Sequence, residues 1–278
     1  MTDTPSAGPR RVSLPFHVSH PVVGMVHLPP LQGAPGEHLP TEDILAAAES
    51  DAEALHRAGV DGILVENFGD APFFPADVPP ETVAAITLAV DRVRRAVPLP
   101  VGVNVLRNDA AAAVGIAAVT GAEFIRVNVH VGTAWTDQGP LEGRAYRTLR
   151  LRKALGHPCA ILADVHVKHA TPVPGESLEA AASDTWHRGL ADALVVSGVG
   201  TGHATDPDRM ARVARAVPHA PLWVGSGVTE ETISTLWHHA SGFIVGSALQ
   251  EGGRAGGRVD VERATRFMGV VQERRALG

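Results

Sequence analysis

"ILADVHVKHA", residues 161–170, begins as an apolar strand and then places Asp164, His166 and Lys168 at every second position. Side chains of a strand alternate between its two faces, so the three ionisable groups are expected on one face and Val165 and Val167 on the other. An ordinary core strand keeps such a face apolar, because an unpaired buried charge is costly. What surrounds the strand therefore decides the reading.

Seven further short runs rich in Val and Ile recur along the chain: "PVVGMVH", "DGILVEN", "LPVGVNV", "EFIRVNV", "ADALVVS", "PLWVG" and "SGFIVG". Between them lie segments of helical length such as "TEDILAAAESDAEALHRAG", "ETVAAITLAVDRVRRAV" and "TEETISTLWHHA". Helix punctuation agrees: Asp206-Pro207 suits an N-cap followed by proline at the first helical position, and Thr229 precedes Glu230 and Glu231. Gly59, Gly121, Gly156 and Gly189 stand where helices should stop. Apolar strands alternating with helices mean a parallel sheet, and eight units in roughly 250 residues favour closure over an open sheet. The expectation is a single α/β domain, a (β/α)8 TIM barrel over residues 20–278. The polar stretch 1–19 ahead of it is expected to be a flexible arm.

With 278 residues, 45% hydrophobic content and one cysteine, the chain reads as a globular protein without a disulfide framework. A net charge of −6 argues against a nucleic-acid or anionic-membrane surface, so any anion site must be local. The N-terminus lacks the apolar core of a secretory signal and no stretch is long and apolar enough for a membrane span, so a cytoplasmic location is expected.

The loops point to one face. Helix-to-strand links are short ("AGVDG", "TGAE", "RGLAD"), whereas strand-to-helix links run long ("LPPLQGAPGEHLP", "FGDAPFFPADVPP", "VGTAWTDQGPLEG", "TPVPGES"). In β/α barrels the face at the carboxyl ends of the strands carries the active site. Long loops of this kind serve equally as lids or as contacts in a homo-oligomer.

Strands seven and eight end alike, in "LWVGSGVT" (222–229) and "FIVGSALQ" (243–250). Glycine lets the backbone approach an anion, serine adds a hydroxyl, and a following helix start directs N–H groups to the same point. Loops after these two strands commonly form the phosphate cradle of this fold. Gly225, Ser226, Gly227, Gly246 and Ser247 are assigned to it; the bland alternative is a pair of tight turns that need glycine for geometry alone. "SGVGTG" (197–202) adds Ser197 and Thr201 as candidate ligand contacts.

Polar residues gather at the other strand ends: His27, Glu66 and Asn67, Asn104, Asn128 and His130, then Asp164, His166 and Lys168. Arg126, Asn128 and His130 alternate with Ile125, Val127 and Val129, so the polar set is expected to point into the barrel. Arg126 is best explained as an ion-pair partner of Glu66 or Asp164. Lys168 admits three roles: a Schiff-base amine, a cation for an oxyanion or phosphate, or a structural partner of Asp164. His166 or His130 could move a proton, with Asp164 orienting the ring or acting as base. Glu66, Asp164 and His166 would suit a divalent metal, although no compact ligand motif is present. Arg107, in "LRNDA", is a candidate carboxylate or phosphate clamp, and Asn67 and Asp137 are further candidate substrate contacts.

"VVGMVHLPPLQGAPG", "DGILVENFGDAPF", "GVNVLRNDA", "FIRVNVHVGTAWTDQG", "ILADVHVKHA", "VGSGVT" and "IVGSALQEGG" together resemble the BtpA/SgcQ family, from about residue 20 to 270. The resemblance implies a barrel akin to the ribulose-phosphate-binding barrels. Some members of that family are associated with photosystem I stability in cyanobacteria; others occur in sugar-metabolism gene neighbourhoods and are assigned to nucleoside or sugar-phosphate chemistry without an agreed reaction. Two functions follow. One is an enzyme acting on a small phosphorylated metabolite (a sugar phosphate, ribosylated compound or nucleotide-like ligand) by isomerase, lyase or glycosyl-bond chemistry. The other is a non-catalytic assembly factor that uses the barrel as a protein-binding scaffold. The polar strand ends favour the enzyme.

Overall fold

The computed structural model describes residues 11–37, 39–198 and 205–277. Eight parallel strands close into a barrel: strand 1 (Val22–His27), strand 2 (Gly62–Glu66), strand 3 (Val101–Asn104), strand 4 (Phe124–Val127), strand 5 (Ala160–Val165), strand 6 (Ala193–Val196), strand 7 (Leu222–Val224) and strand 8 (Gly242–Val245). Strand 1 closes the ring, pairing with strand 2 through Val23↔Gly62 to His27↔Glu66 and with strand 8 through Val22↔Phe243 to Gly24↔Val245. Strands 2 to 8 are buried along their whole length, which is why they read as unbroken apolar runs.

Two apolar layers hold the fold. Residues facing outward, such as Val22, Ile63, Val103, Ile125, Ile161 and Phe243, pack on the helices. Residues facing inward, including Met25, Leu64, Phe124, Leu162, Val195 and Trp223, fill the lower barrel. Small residues make room for the large ones: a Cβ on Gly102 would lie 2.3 Å from the Phe124 ring.

Residues 11–16, part of the stretch expected to be a flexible arm, lie against the barrel floor. The Phe16 ring stands 5.6 Å from Phe124 and 5.2 Å from Trp223, and Val12 and Leu14 pack on the same interior cluster. The Val12 amide donates to Asp192 Oδ1 at 2.7 Å, and Arg11 lies 3.5 Å over the Trp186 ring. The amino-terminal end of the barrel is thus stoppered by the chain's own apolar residues, and the interior opens at the other end.

The helices are α1 (Thr41–Ala58), α2 (Pro80–Ala96), α3 (Ala110–Thr120), α4 (Ala145–Leu155), α5 (Leu178–Ser183), α6 (Pro207–Ala216), α7 (Ile233–Leu236) and α8 (Val261–Leu277). Asp206 caps α6 by accepting from the Asp208 amide, with Pro207 next in line. Gly59, Gly121 and Gly156 end their helices in the left-handed conformation. Gly189 has an ordinary φ of −77° and is small for another reason: a Cβ there would meet Val131 at 2.5 Å and His130 at 3.1 Å. "TEETISTLWHHA" forms only the single turn of α7 and a 3-10 turn, Trp237–His239, rather than a long helix. The loop after strand 4 folds into an antiparallel hairpin, Thr133–Thr136 with Gly139–Glu142, to which Thr171–Pro172 adds a third short strand.

Candidate active site

The carboxyl ends of the strands surround a bowl with two connected parts. A narrow pocket is lined by His27, Gly225, Ser226, Gly227, Gly246 and Ser247, and a chamber of about 420 Å³ by Phe73, Leu106, Arg107, Asn128 and Asp137. Glu66, Phe68, Arg126 and Lys168 line both, so the two spaces join across them. The chamber is of the size that small-molecule sites occupy.

The five cradle residues expected from the paired Val-Gly-Ser corners therefore share one pocket, because strands 7 and 8 are adjacent in the barrel (Trp223↔Gly242, Val224↔Phe243). Ser226 Oγ accepts the Gly198 amide at 3.1 Å, which fixes the oxygen and leaves its own proton to donate. Gly225 is packed from below: a Cβ would come within 2.4 Å of Val195, 2.8 Å of Ser197 Oγ and 3.0 Å of Arg126.

Glu66 ends strand 2 and is buried. Its Oε2 accepts a 2.6 Å bond from Asn104 Nδ2, one strand over, while Oε1 stands 3.7 Å from His27 Nε2. The His27 ring stacks on Phe68 at 4.4 Å. Burial pushes its pKa down to about 4, Glu66 opposing and Lys168 adding to the fall. Lys168 stands at the junction of pocket and chamber, and among the described residues no carboxylate lies within ion-pair distance of it. Burial, then Arg126, pushes the ammonium pKa down. Arg107 is buried and donates to the Lys168 carbonyl at 2.8 Å, which places two cations on one side of the chamber. Asp137 is exposed on the chamber's rim.

Asp164 has another task. Its carboxylate takes both arms of the Arg126 fork at 2.9 Å, Ser197 Oγ at 3.1 Å and Asn128 Nδ2 at 3.3 Å. Arg126 and Asp164 are both buried; burial works against the Arg126 charge, but Asp164 outweighs it and raises the guanidinium pKa. A carboxylate so saturated is a buried tie between strands 4, 5 and 6 rather than a free base. The structure thus gives Asp164, expected to be catalytic, and Ser197, expected to touch the ligand, buried partners within the protein, Ser197 being wholly enclosed, while Asn128 both donates to Asp164 and lines the chamber.

His166 and His130 also depart from the expectation. Strand 5 ends at Val165, and His166 takes φ +51°, so the alternation that would send it into the bowl is broken. Its Nε2 meets Glu176 Oε2 at 3.2 Å in a further pocket under the hairpin, which Asp164 and Asn128 also line. Strand 4 likewise ends at Val127, and the His130 ring lies buried among backbone, its Nε2 donating to the Gly189 carbonyl at 2.9 Å. Burial holds its pKa down at about 4. Asn67 is committed to loop geometry: Oδ1 accepts the Leu106 amide at 2.7 Å and Nδ2 donates to Asp70 at 3.0 Å. The metal set Glu66, Asp164 and His166 is not assembled, since His166 and Asp164 are engaged elsewhere; among the described residues no three His, Cys, Asp or Glu side chains are grouped to hold an ion. Thr201 lies outside the described residues.

Three contributors went unread in the sequence. Phe68 is the next residue but one after Glu66 and could have been noticed as an aromatic at a strand end. Gln250 and Gly256 both donate to His27 Nδ1, at 2.9 and 3.0 Å, and are brought there only by the loop that follows strand 8.

The model of the BtpA family matches residues 18–273. The chain belongs to the BtpA family. It is 44% identical to the photosystem I biogenesis protein BtpA of Synechocystis over 258 residues, which is 93% of this chain and 90% of that protein. Among solved structures the BtpA-family barrel resembles one described as native KDPGal, with a TM-score of 0.56 and 15% identity over 93% of this chain and 97% of that one. N-(5'-phosphoribosyl)anthranilate isomerase from Pyrococcus furiosus superposes with a TM-score of 0.55 and 15% identity over 91% of this chain and all of that one. At such identity these likenesses establish the TIM-barrel fold. Among the described residues no helix of this BtpA-family chain is long and apolar enough to cross a membrane.

Proposed function

We propose that this protein is an enzyme that binds a small phosphorylated metabolite at the carboxyl-terminal mouth of the barrel and transfers protons on it. The observation that carries the reading is a single pocket in which the glycine and serine corners of strands 7 and 8 face Glu66, His27, Arg126 and Lys168. The phosphate anchors at Gly225 to Gly227 and at Gly246 and Ser247, where backbone N–H groups and two hydroxyls can meet it. Lys168 and Arg107 offset its charge, and the remaining atoms reach into the chamber, walled on one side by Phe68, Phe73 and Leu106. Binding energy gathered at the phosphate then positions the reacting carbon against Glu66. A barrel of the same fold serves the phosphoribosyl isomerase named above, so the fold accommodates such chemistry.

Calorimetric titration with inorganic phosphate and ribose 5-phosphate tests the anchor. Both are expected to bind, and Lys168→Met and Ser226→Ala are each expected to weaken binding by tenfold or more without loss of folding. Absence of binding to the wild-type protein would remove the proposal. The naming of the Synechocystis relative as a photosystem I biogenesis protein supports a second reading, an assembly factor, for which exposed Trp135 and Tyr146 offer contact surface. On that reading the same two substitutions leave partner binding intact.

A further inference from the structure

Both ring nitrogens of His27 are assigned by their neighbours. The Gly256 backbone N–H reaches Nδ1 at 3.0 Å, and a backbone amide can only donate, so Nδ1 is the acceptor and the proton of the neutral ring sits on Nε2. Gln250 Nε2 donates to the same Nδ1 at 2.9 Å from a residue that is 1% exposed. The ring plane is set by the stack on Phe68. The groups facing His27 are Glu66 from strand 2, Arg126 from strand 4, Lys168 from the loop after strand 5, and Gln250 and Gly256 from the loop after strand 8. Burial and the two cations, Lys168 and Arg126, disfavour the imidazolium, Glu66 favours it, and the Gly256 N–H occupies the Nδ1 lone pair that a second proton would need.

The result is an N–H donor and a carboxylate oxygen 3.7 Å apart in the cradle pocket. The other oxygen of Glu66 is already held by Asn104, so Oε1 is the one left to react. A neutral ring suits this arrangement, since an imidazolium would pair with Glu66 and weaken it as a base.

We propose that Glu66 and His27 act as a carbon-acid pair on a phosphorylated hydroxy-aldehyde or hydroxy-ketone, and that Gln250 and Gly256 are positioning residues that keep His27 an Nε2–H donor. Glu66 Oε1 takes the proton from the carbon beside the carbonyl. The C–H electron pair becomes a C=C bond, and the carbonyl π pair moves onto oxygen, where the His27 N–H and the Lys168 ammonium hold the charge. Returning the proton to the neighbouring carbon, with the hydroxyl proton passing between the two oxygens, restores Glu66 and completes an isomerisation that needs no co-reactant. This deepens the phosphorylated-ligand reading and rests on it.

Proton–nitrogen correlation NMR of the full-length protein tests the lock. His27 is expected as the Nε2–H tautomer, with no titration between pH 5.5 and 7.5. Gln250→Glu places an acceptor at Nδ1 and is expected to draw a proton there, a change that loss of packing alone would not cause. A His27 resonance protonated on Nδ1, or titrating near its ordinary value, overturns the lock. The chemistry is read as exchange of substrate C–H for deuterium in D2O. The probes are dihydroxyacetone phosphate, glyceraldehyde 3-phosphate, ribose 5-phosphate and ribulose 5-phosphate. Exchange into at least one is expected, reduced at least 100-fold in Glu66→Gln and at least tenfold in Glu66→Asp, whose carboxylate is withdrawn by one methylene. Exchange into none, in protein that still binds inorganic phosphate, overturns the carbon-acid pair alone; loss of phosphate binding in the wild type overturns the reading beneath it.

Discussion

Replacing Asp164 by Asn separates a structural carboxylate from a reactive one. Asp164 accepts four hydrogen bonds, two of them from a guanidinium with 3% of its side chain exposed. The amide keeps the shape but turns one acceptor into a donor that faces Arg126, and it leaves that cation uncompensated. Breaking a buried pair in this way costs about 3–5 kcal/mol. For a domain of this size that is a fall in Tm on the order of 10 °C. Replacing both partners, Arg126→Met with Asp164→Leu, removes both charges and is expected to recover most of the loss, because a buried pair and an apolar pair of similar volume are often comparable. Thermal unfolding followed by circular dichroism, with phosphate binding measured on each variant, gives the result. An Asp164→Asn protein of wild-type stability that no longer reacts would show that the carboxylate is part of the chemistry, and the assignment made here would be wrong.

The acid limb of stability should report the two buried imidazoles. His27 and His130 have folded pKa values of about 4 against 6.5 ordinarily, so the unfolded chain binds more protons between those values. Each neutral ring's contribution is complete above about pH 6.5 and falls away toward pH 4, by roughly 3 kcal/mol per ring at the limit. Urea midpoints at pH 7.5 and 5 should therefore diverge, and a His27→Gln/His130→Gln protein with an undiminished pH dependence would refute this origin. Gly225→Ala forces a Cβ against Val195, Ser197 and Arg126, which should cost about 1–3 kcal/mol and displace the cradle. Calorimetry should then find phosphate affinity reduced tenfold or more, and an unaltered affinity would mean the anion sits elsewhere. Phe16→Ala removes the ring that closes the barrel floor and should cost roughly 3 kcal/mol, the low end for a phenylalanine because this one is only half-buried. A melting temperature within a degree of wild type would show that the stretch from residue 11 adds nothing to the barrel.

Periodicity and loop length were enough to read the barrel. Eight apolar runs, short helix-to-strand links and long strand-to-helix links are local properties, and a parallel sheet buried on both faces leaves them in plain view. That the two Val-Gly-Ser corners share a pocket was legible for the same reason, since neighbouring strands that end in the same tripeptide must deliver it to the same place. Alternation carried the polar residues only as far as the strands continue. Asp164 lies within strand 5 and does face inward, as expected; His166 and His130 lie one and three residues beyond their strand ends, where a positive φ or a bend sends the side chain elsewhere. Partnership was less accessible still. Nothing local distinguishes Asp164, saturated by Arg126, Asn128 and Ser197, from Glu66, which keeps one oxygen open to the bowl. The tautomer of His27 depends on a backbone amide 229 residues away. Strand direction and side-chain periodicity are written in short stretches of chain, but whether a buried group is spent on its neighbours or left free is fixed only when distant segments meet.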